Sequence, residues 1–390
     1  MKHLVVPPVL RSVPRTPPFP QRRSIDLDAI RSTIDGALCS AGLSARSNGV
    51  AGDVAATIDK ALSAAGLTTG AAPRHVHATV LPGFAQPHST PLSTPASRVE
   101  PANPGEFLSR SFACGAGTRA YKLYVPSIHA ARAKLHLPLV VMLHGCTQSA
   151  EDFSAGTRMN TLAEQQGFLV AYPEQATNAN GSRCWNWFRA SDQQRDSGEP
   201  SLIAGITREI SATYRVDERR IYVAGLSAGA AMAVVLGATY PDLYAAVGAH
   251  SGLAYASAHD VPSAFAAMKG GGYRDNGVRQ AVPAVPTIVF HGDADKTVAS
   301  ANGALIIEQA IGALRTRADF SEISDEGLAA GHAYTRARYC IGAETPIAEQ
   351  WTIRGAGHAW SGGSSSGSYT DAHGPDASAE MLRFFKTHAR

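Results

Sequence analysis

Ten residues constrain this chain more than any other stretch. Ile221, Tyr222, Val223 and Ala224 have strand character and run directly into Gly225-Leu226-Ser227-Ala228-Gly229. A run of small, helix-forming residues follows through Ala238. A strand that passes into a helix over a Gly-x-Ser-x-Gly segment needs a strained turn, and glycine on either side lets neighbouring backbone come close. Ser227 would then stand above the C-terminal edge of a sheet, at a helix N-terminus, where negative charge is favoured.

The flanking sequence supplies the sheet. Leu137–His144 is a continuous apolar run, as in a strand buried on both faces. Further strands are expected at 168–172, 219–224, 245–250, 285–290, 332–340 and 347–354, and helices at 157–166, 200–214, 300–314 and 375–387. Phe107–Ala113 and Arg119–Val125 alternate in character and read as an antiparallel opening pair. Residues 173–199 and 251–280 lack a clear period. Repeated β–α units of this kind predict an α/β fold, with a mainly parallel central sheet covered by helices on both faces.

Residues 1–105 have a different character and are expected to form a low-order extension, with the main domain over 106–390. The start is rich in proline and arginine, with no acid before Asp26. Ile30–Leu43 and Val54–Leu67 repeat one another and predict two short amphipathic helices. Prolines 73, 82, 87, 91, 95, 101 and 104 predict an extended linker. Leu4–Leu10 is short and broken by two prolines, so no cleavable secretory leader is expected. No apolar run approaches the ~20 residues that a membrane helix needs. A net charge of +3 over 390 residues makes no case for a nucleic-acid partner. The five cysteines form no CxxC pair, which leaves room for one or two disulfides and at least one unpaired thiol.

A nucleophilic serine needs a base, an orienting acid and an oxyanion hole. Asp293 and Asp295 follow the strand at 285–290, and His358 follows the strand at 347–354. In a parallel sheet, loops at the carboxyl ends of strands converge on one edge. Asp295 lies deeper in its loop, just before Lys296-Thr297-Val298, and is expected to orient His358, leaving Asp293 to brace the turn. The backbone amides of Ala228 and Cys146 are the expected oxyanion donors, Cys146 lying in the segment His144–Gln148. A Cys146–Cys184 bridge, among the pairings open to these cysteines, would pin the irregular 173–199 stretch to the site. Trp185, Trp187 and Trp360 are expected to line a substrate cleft. His144 and His291 read as structural, and Asp192, Arg195 and Glu199 as an ion-pair cluster without chemistry. This set of groups calls for no metal and no organic cofactor.

From about residue 106 onward the chain resembles the poly(3-hydroxybutyrate) depolymerase family of esterases, within the α/β-hydrolases. The match is carried by His144-Gly-Cys-Thr-Gln148, Cys184-Trp-Asn-Trp-Phe188 with Asp192 and Arg195 downstream, Gly225–Ala230, His291-Gly-Asp-Ala-Asp295 and Gly357–Gly363. The resemblance implies a serine esterase acting on short-chain 3-hydroxyalkanoate polyesters or related esters, with Ser227, Asp295 and His358 as its triad. Such enzymes are similar to feruloyl and acetylxylan esterases. The resemblance also implies action outside the cell; with no leader expected, a cytoplasmic location is the alternative. A rival of another class is a protein that binds polyester granules through its repeated N-terminal helices.

Overall fold

The structure is a computed structural model. It describes residues 105–131, 134–271, 285–312, 314–342 and 345–390. The two expected N-terminal helices, and all of the expected extension except Gly105, lie outside the described residues.

In chain order the strands are β1 (Glu106–Cys114), β2 (Gly117–Val125), β3 (Leu137–Leu143), β4 (Leu169–Pro173), β5 (Val216–Leu226), β6 (Ala246–His250), β7 (Thr287–Gly292), β8 (Phe320–Ala329), β9 (His332–Ile341) and β10 (Pro346–Ile353). They form one sheet in the order β1-β2-β4-β3-β5-β6-β7-β10-β9-β8. The stretch β4-β3-β5-β6-β7-β10 is parallel throughout. Antiparallel pairs close both edges: β1 with β2, and β9 with β8 and β10.

The parallel strands are apolar on both faces because both faces are covered. Along β3, Leu139, Val141 and Leu143 pack with Ile203, Ile206 and Ile210 of the helix Gly198–Thr213 and with Ala231 and Val235 of the helix Ala228–Thr239. Val140 and Met142, pointing the other way, pack with Phe153, Met159 and Phe385. The period of two along the strand thus divides one apolar run between two cores.

Three elements differ from the sequence reading. The helix expected over 157–166 is two helices, Ala150–Thr157 and Met159–Gln166. They break at Arg158, which has φ 55°, and its guanidinium donates to the Gly362 carbonyl at 2.7 Å. The strand expected over 219–224 extends to Val216–Leu226. β8 was not expected, because Glu322, Asp325 and Glu326 interrupt its apolar pattern. It is an edge strand whose acids meet arginines across the ladder, Asp325 with Arg336 and Arg338 at 3.1 Å each.

Candidate active site

Ser227 joins β5 to the helix Ala228–Thr239 with φ 56° and ψ −119°. Such a conformation costs a non-glycine residue on the order of 1–3 kcal/mol, and surrounding structure must enforce it. Close backbone packing does so. A Cβ on Gly229 would lie 2.1 Å from the Leu143 carbonyl oxygen, and one on Gly225 would lie 2.4 Å from the Gly229 carbonyl carbon. Only glycine lets the start of the helix sit against the end of β3. The Ser227 amide donates to the His250 carbonyl at 2.9 Å, and the Ser227 carbonyl accepts from Ala231 at 2.9 Å. Ser227 remains partly exposed at the strand ends.

Asp295 and His358 meet there. His358 Nδ1 lies 2.7 Å from Asp295 Oδ2. The other carboxylate oxygen accepts the amides of Thr297 at 2.8 Å and Val298 at 2.9 Å. His291 Nε2 lies 3.4 Å from Asp295 Oδ2 and donates to the Val298 carbonyl at 2.9 Å. Burial would push the Asp295 carboxyl up. Hydrogen bonds from the His291 and His358 rings and from the Val298 amide outweigh it and hold the group far below the usual carboxylate range. Asp295 is therefore a fixed anion that aligns the imidazole. Asp293 accepts the Gly355 amide at 2.7 Å and braces the turn before His358. Among the described residues Ser227 Oγ makes no hydrogen bond, to His358 or to any other group.

His250 links the two halves of this arrangement, which the sequence did not signal. Its carbonyl holds the Ser227 amide, and its Nε2 accepts the Ser361 amide at 3.0 Å, three residues past His358. Its Nδ1 therefore carries the proton and faces Ser251 Oγ at 3.2 Å. Complete burial lowers its pKa to about 3, so the ring is neutral.

The loop after β3 is held by its own set of hydrogen bonds. The Gly145 amide donates to Gln148 Oε1 at 2.9 Å, the Thr147 amide to the Ser182 carbonyl at 2.7 Å, and the Gln148 amide to the Gly145 carbonyl at 3.4 Å. The Cys146 amide has no such partner among the described residues, and that of Ala228 opens a helix, where intrahelical bonding leaves amides unpaired. His144 is neutral as well: burial lowers its pKa to about 4. Its Nδ1 donates to the Gly145 carbonyl at 2.7 Å, and its Nε2 accepts the Gln175 amide at 3.0 Å. Cys146 and Cys184 are joined by a disulfide. The 173–199 stretch is fastened further by Glu199, which accepts the Asn186 amide at 2.7 Å and the Gln175 side chain.

Two expectations fail here. Trp185 and Trp360 are fully buried, and Trp187 is nearly so, and they do not form an open aromatic rim. Trp360 fills the core between His250 and Phe153, its indole N–H donating to Ser378 Oγ at 3.1 Å. Trp185 packs beside His144, and Trp187 meets Phe188 edge-on. Large aromatic area is worth most in a core, which is where these rings went. Nor do Asp192, Arg195 and Glu199 form an ion-pair cluster. Arg195 pairs with Asp242, and Glu199 lies 3.5 Å from Arg119. An exposed aromatic, Tyr369, lies beside the loop after β3, its hydroxyl 3.0 Å from Thr147 Oγ1. Its Gly/Ser-rich surroundings gave no sign of that position.

The family model described as "Esterase PHB depolymerase" matches residues 119–320. Poly(3-hydroxyalkanoate) depolymerase C of Paucimonas lemoignei is 34% identical over 249 residues, covering 60% of this chain and 57% of that protein. Feruloyl esterase B of Neurospora crassa is 37% identical over 119 residues, covering 30% of this chain and 40% of that protein. The chain thus spans about half the length of these relatives. The acetyl xylan esterase from Aspergillus awamori superposes with a TM-score of 0.51 at 19% identity, over 69% of this chain and 94% of that one. That likeness extends to the fold, which is of the α/β-hydrolase type.

Proposed function

This chain belongs to the PHB depolymerase esterase family, and on that premise we propose that it is a serine esterase cleaving short-chain 3-hydroxyalkanoate polyesters or related esters. The observation that carries this reading is the 2.7 Å pairing of His358 with a buried, anionic Asp295, at the same sheet edge as the strained Ser227.

In this mechanism Ser227 Oγ attacks the ester carbonyl and His358 Nε2 takes its proton. Asp295 keeps the imidazole in the Nδ1–H tautomer and stabilises the imidazolium. The amides of Cys146 and Ala228 meet the oxyanion of the tetrahedral intermediate. The leaving alcohol takes the proton from His358, and water then hydrolyses the acyl-enzyme by the same path. Hydrogen bonds between a catalytic serine and its base are often loose before substrate binds and tighten in the Michaelis complex. The unpaired Ser227 Oγ is consistent with this.

A carbohydrate-ester reading, feruloyl or acetylxylan in type, draws support from the similarity to feruloyl esterase B. Rates on 3-hydroxybutyrate oligomers and on feruloyl sugars decide between the two. Substitution Ser227→Ala is expected to lower kcat on p-nitrophenyl butyrate by on the order of 10⁶-fold. Activity retained by that variant would reject the mechanism.

A further inference from the structure

A second cluster of ionisable groups lies apart from Asp295 and His358. His332 opens β9, and Asp371 belongs to the short strand β12 (Thr370–Asp371), which pairs with β11 (Trp360–Ser361). His373 follows two residues later. His332 Nε2 is 3.0 Å from Asp371 Oδ2, and His373 Nδ1 is 3.0 Å from Asp371 Oδ1. One ligand atom from each of the three residues lies within 4.8 Å of the other two.

The contacts of His332 set the argument. Its Nδ1 lies 2.9 Å from the Arg354 carbonyl, which can only accept, so Nδ1 carries the proton. In the neutral ring, Nε2 is then a lone pair aimed at a carboxylate oxygen. Two acceptors at that separation repel unless a cation lies between them. That cation is either a second proton on the ring or a metal ion. A backbone carbonyl orienting an imidazole through its other nitrogen is the usual support of a histidine ligand.

We propose that His332, Asp371 and His373 bind one divalent transition-metal ion of the zinc type. Two imidazoles and one carboxylate suit zinc, copper or nickel and not the harder calcium or magnesium. Atoms that each sit about 2.0–2.1 Å from a tetrahedral zinc are roughly 3.3 Å apart, so the two 3.0 Å approaches, one to each Asp371 oxygen, would open slightly and the ligand atoms, all within 4.8 Å of one another, would draw in around the ion. His332 and Asp371 are partly buried, while the His373 side chain is 68% exposed and leaves an entry path.

The site would fasten a loop that matters to the proposed chemistry. Asp371 and His373 belong to the segment that returns from Ser361: the Gly362 amide donates to the His373 carbonyl at 3.1 Å and the Gly363 amide to that of Asp371 at 2.9 Å. The same segment reaches the donor loop through Gln148 Nε2, which donates to the Ser368 carbonyl at 3.0 Å. Arg354, whose carbonyl holds His332, precedes the turn to His358. A bound ion would join these pieces across the end of β9.

The test uses the untagged full-length chain, stripped with chelator and titrated with zinc chloride alone, with bound zinc counted after gel filtration. Cobalt substitution adds a visible d–d spectrum that reports nitrogen and oxygen ligands. Substitutions His373→Ala and Asp371→Asn are each expected to bind one equivalent fewer than the parent and to lose the zinc-dependent rise in melting temperature. The exposed His373 makes its variant safe for folding, which circular dichroism checks. A parent that retains no zinc, or variants that retain as much as the parent, would overturn the proposal and leave His332 bridged to Asp371 by a proton.

Discussion

Asp295 and His358 are fixed by hydrogen bonds to a buried charge, whereas the 144–148 loop is fixed chiefly by a covalent bridge and by the uncharged His144 and Gln148 side chains. On the first side, removing one charge removes the reason for the alignment. On the second, the load is divided among the Cys146–Cys184 bond, the His144 ring, Gln148 and the Glu199 anchor, and no single contact sets the geometry. The comparison teaches that the Asp295 side should be fragile to loss of charge, while the 144–148 loop, the proposed donor loop, should lose stability on reduction sooner than it loses its geometry.

Replacing Asp295 by Asn tests the first half most severely. It keeps the shape and deletes the charge, and it is expected to lower kcat on the order of 10⁴-fold, about 5 kcal/mol of barrier. A loss below tenfold would mean that the charge does not hold the site. Replacing Cys184 by Ser opens a loop whose ends are 38 residues apart, worth about 4 kcal/mol in the chain-entropy account. Urea unfolding should show that loss, while kcat/KM falls less than in Asp295→Asn. An equal or greater fall would reverse the ranking of the two sides.

Acid should affect both sides together. His144 and His250 have folded pKa values of about 4 and about 3, below the ~6.5 of an unfolded histidine. The unfolded chain therefore takes up protons first as pH falls. The stability these rings contribute is complete above pH ~6.5 and declines as pH drops toward their folded values, by on the order of 3 kcal/mol for His144 and 5 kcal/mol for His250. The depressed Asp295 acts in the same direction only below the ordinary carboxylate range of ~3.9. Urea midpoints at pH 7, 5.5 and 4.5 measure the slope, and a flat profile would contradict neutral, buried rings. The smallest effect is expected for Tyr369→Phe. It removes one exposed hydrogen bond to Thr147, worth under about 1 kcal/mol, and a change in KM greater than about threefold would place Tyr369 among the substrate contacts.

Much of this arrangement was legible because it depends on strand ends. Chain order and apolar runs were enough to bring Asp295 and His358 to one edge, and the strained glycine-flanked turn at Ser227 followed from local sterics. The charge-striped β8 was not legible, because its pairing with β9 rests on cross-strand ions and not on an apolar period. The tryptophans misled for a related reason. Their position beside site motifs was read as exposure, while their size drew them into the core. His332, Asp371 and His373 were three polar residues among many until the chain brought positions 332 and 371 together. His250 gave no sign because its two uses, backbone to Ser227 and ring to Ser361, are visible only in three dimensions.

That double use makes His250 a gauge block. Any slide of β6 along its own axis would carry the serine turn and the Ser361 end of the histidine segment by the same amount, so their separation is insulated from shear in the sheet. A substitution that keeps the backbone bond but shortens the side chain, such as His250→Ala, would uncouple the two by removing the ring that holds Ser361. Its signature would be disorder at Ser361 with the Ser227 turn unchanged.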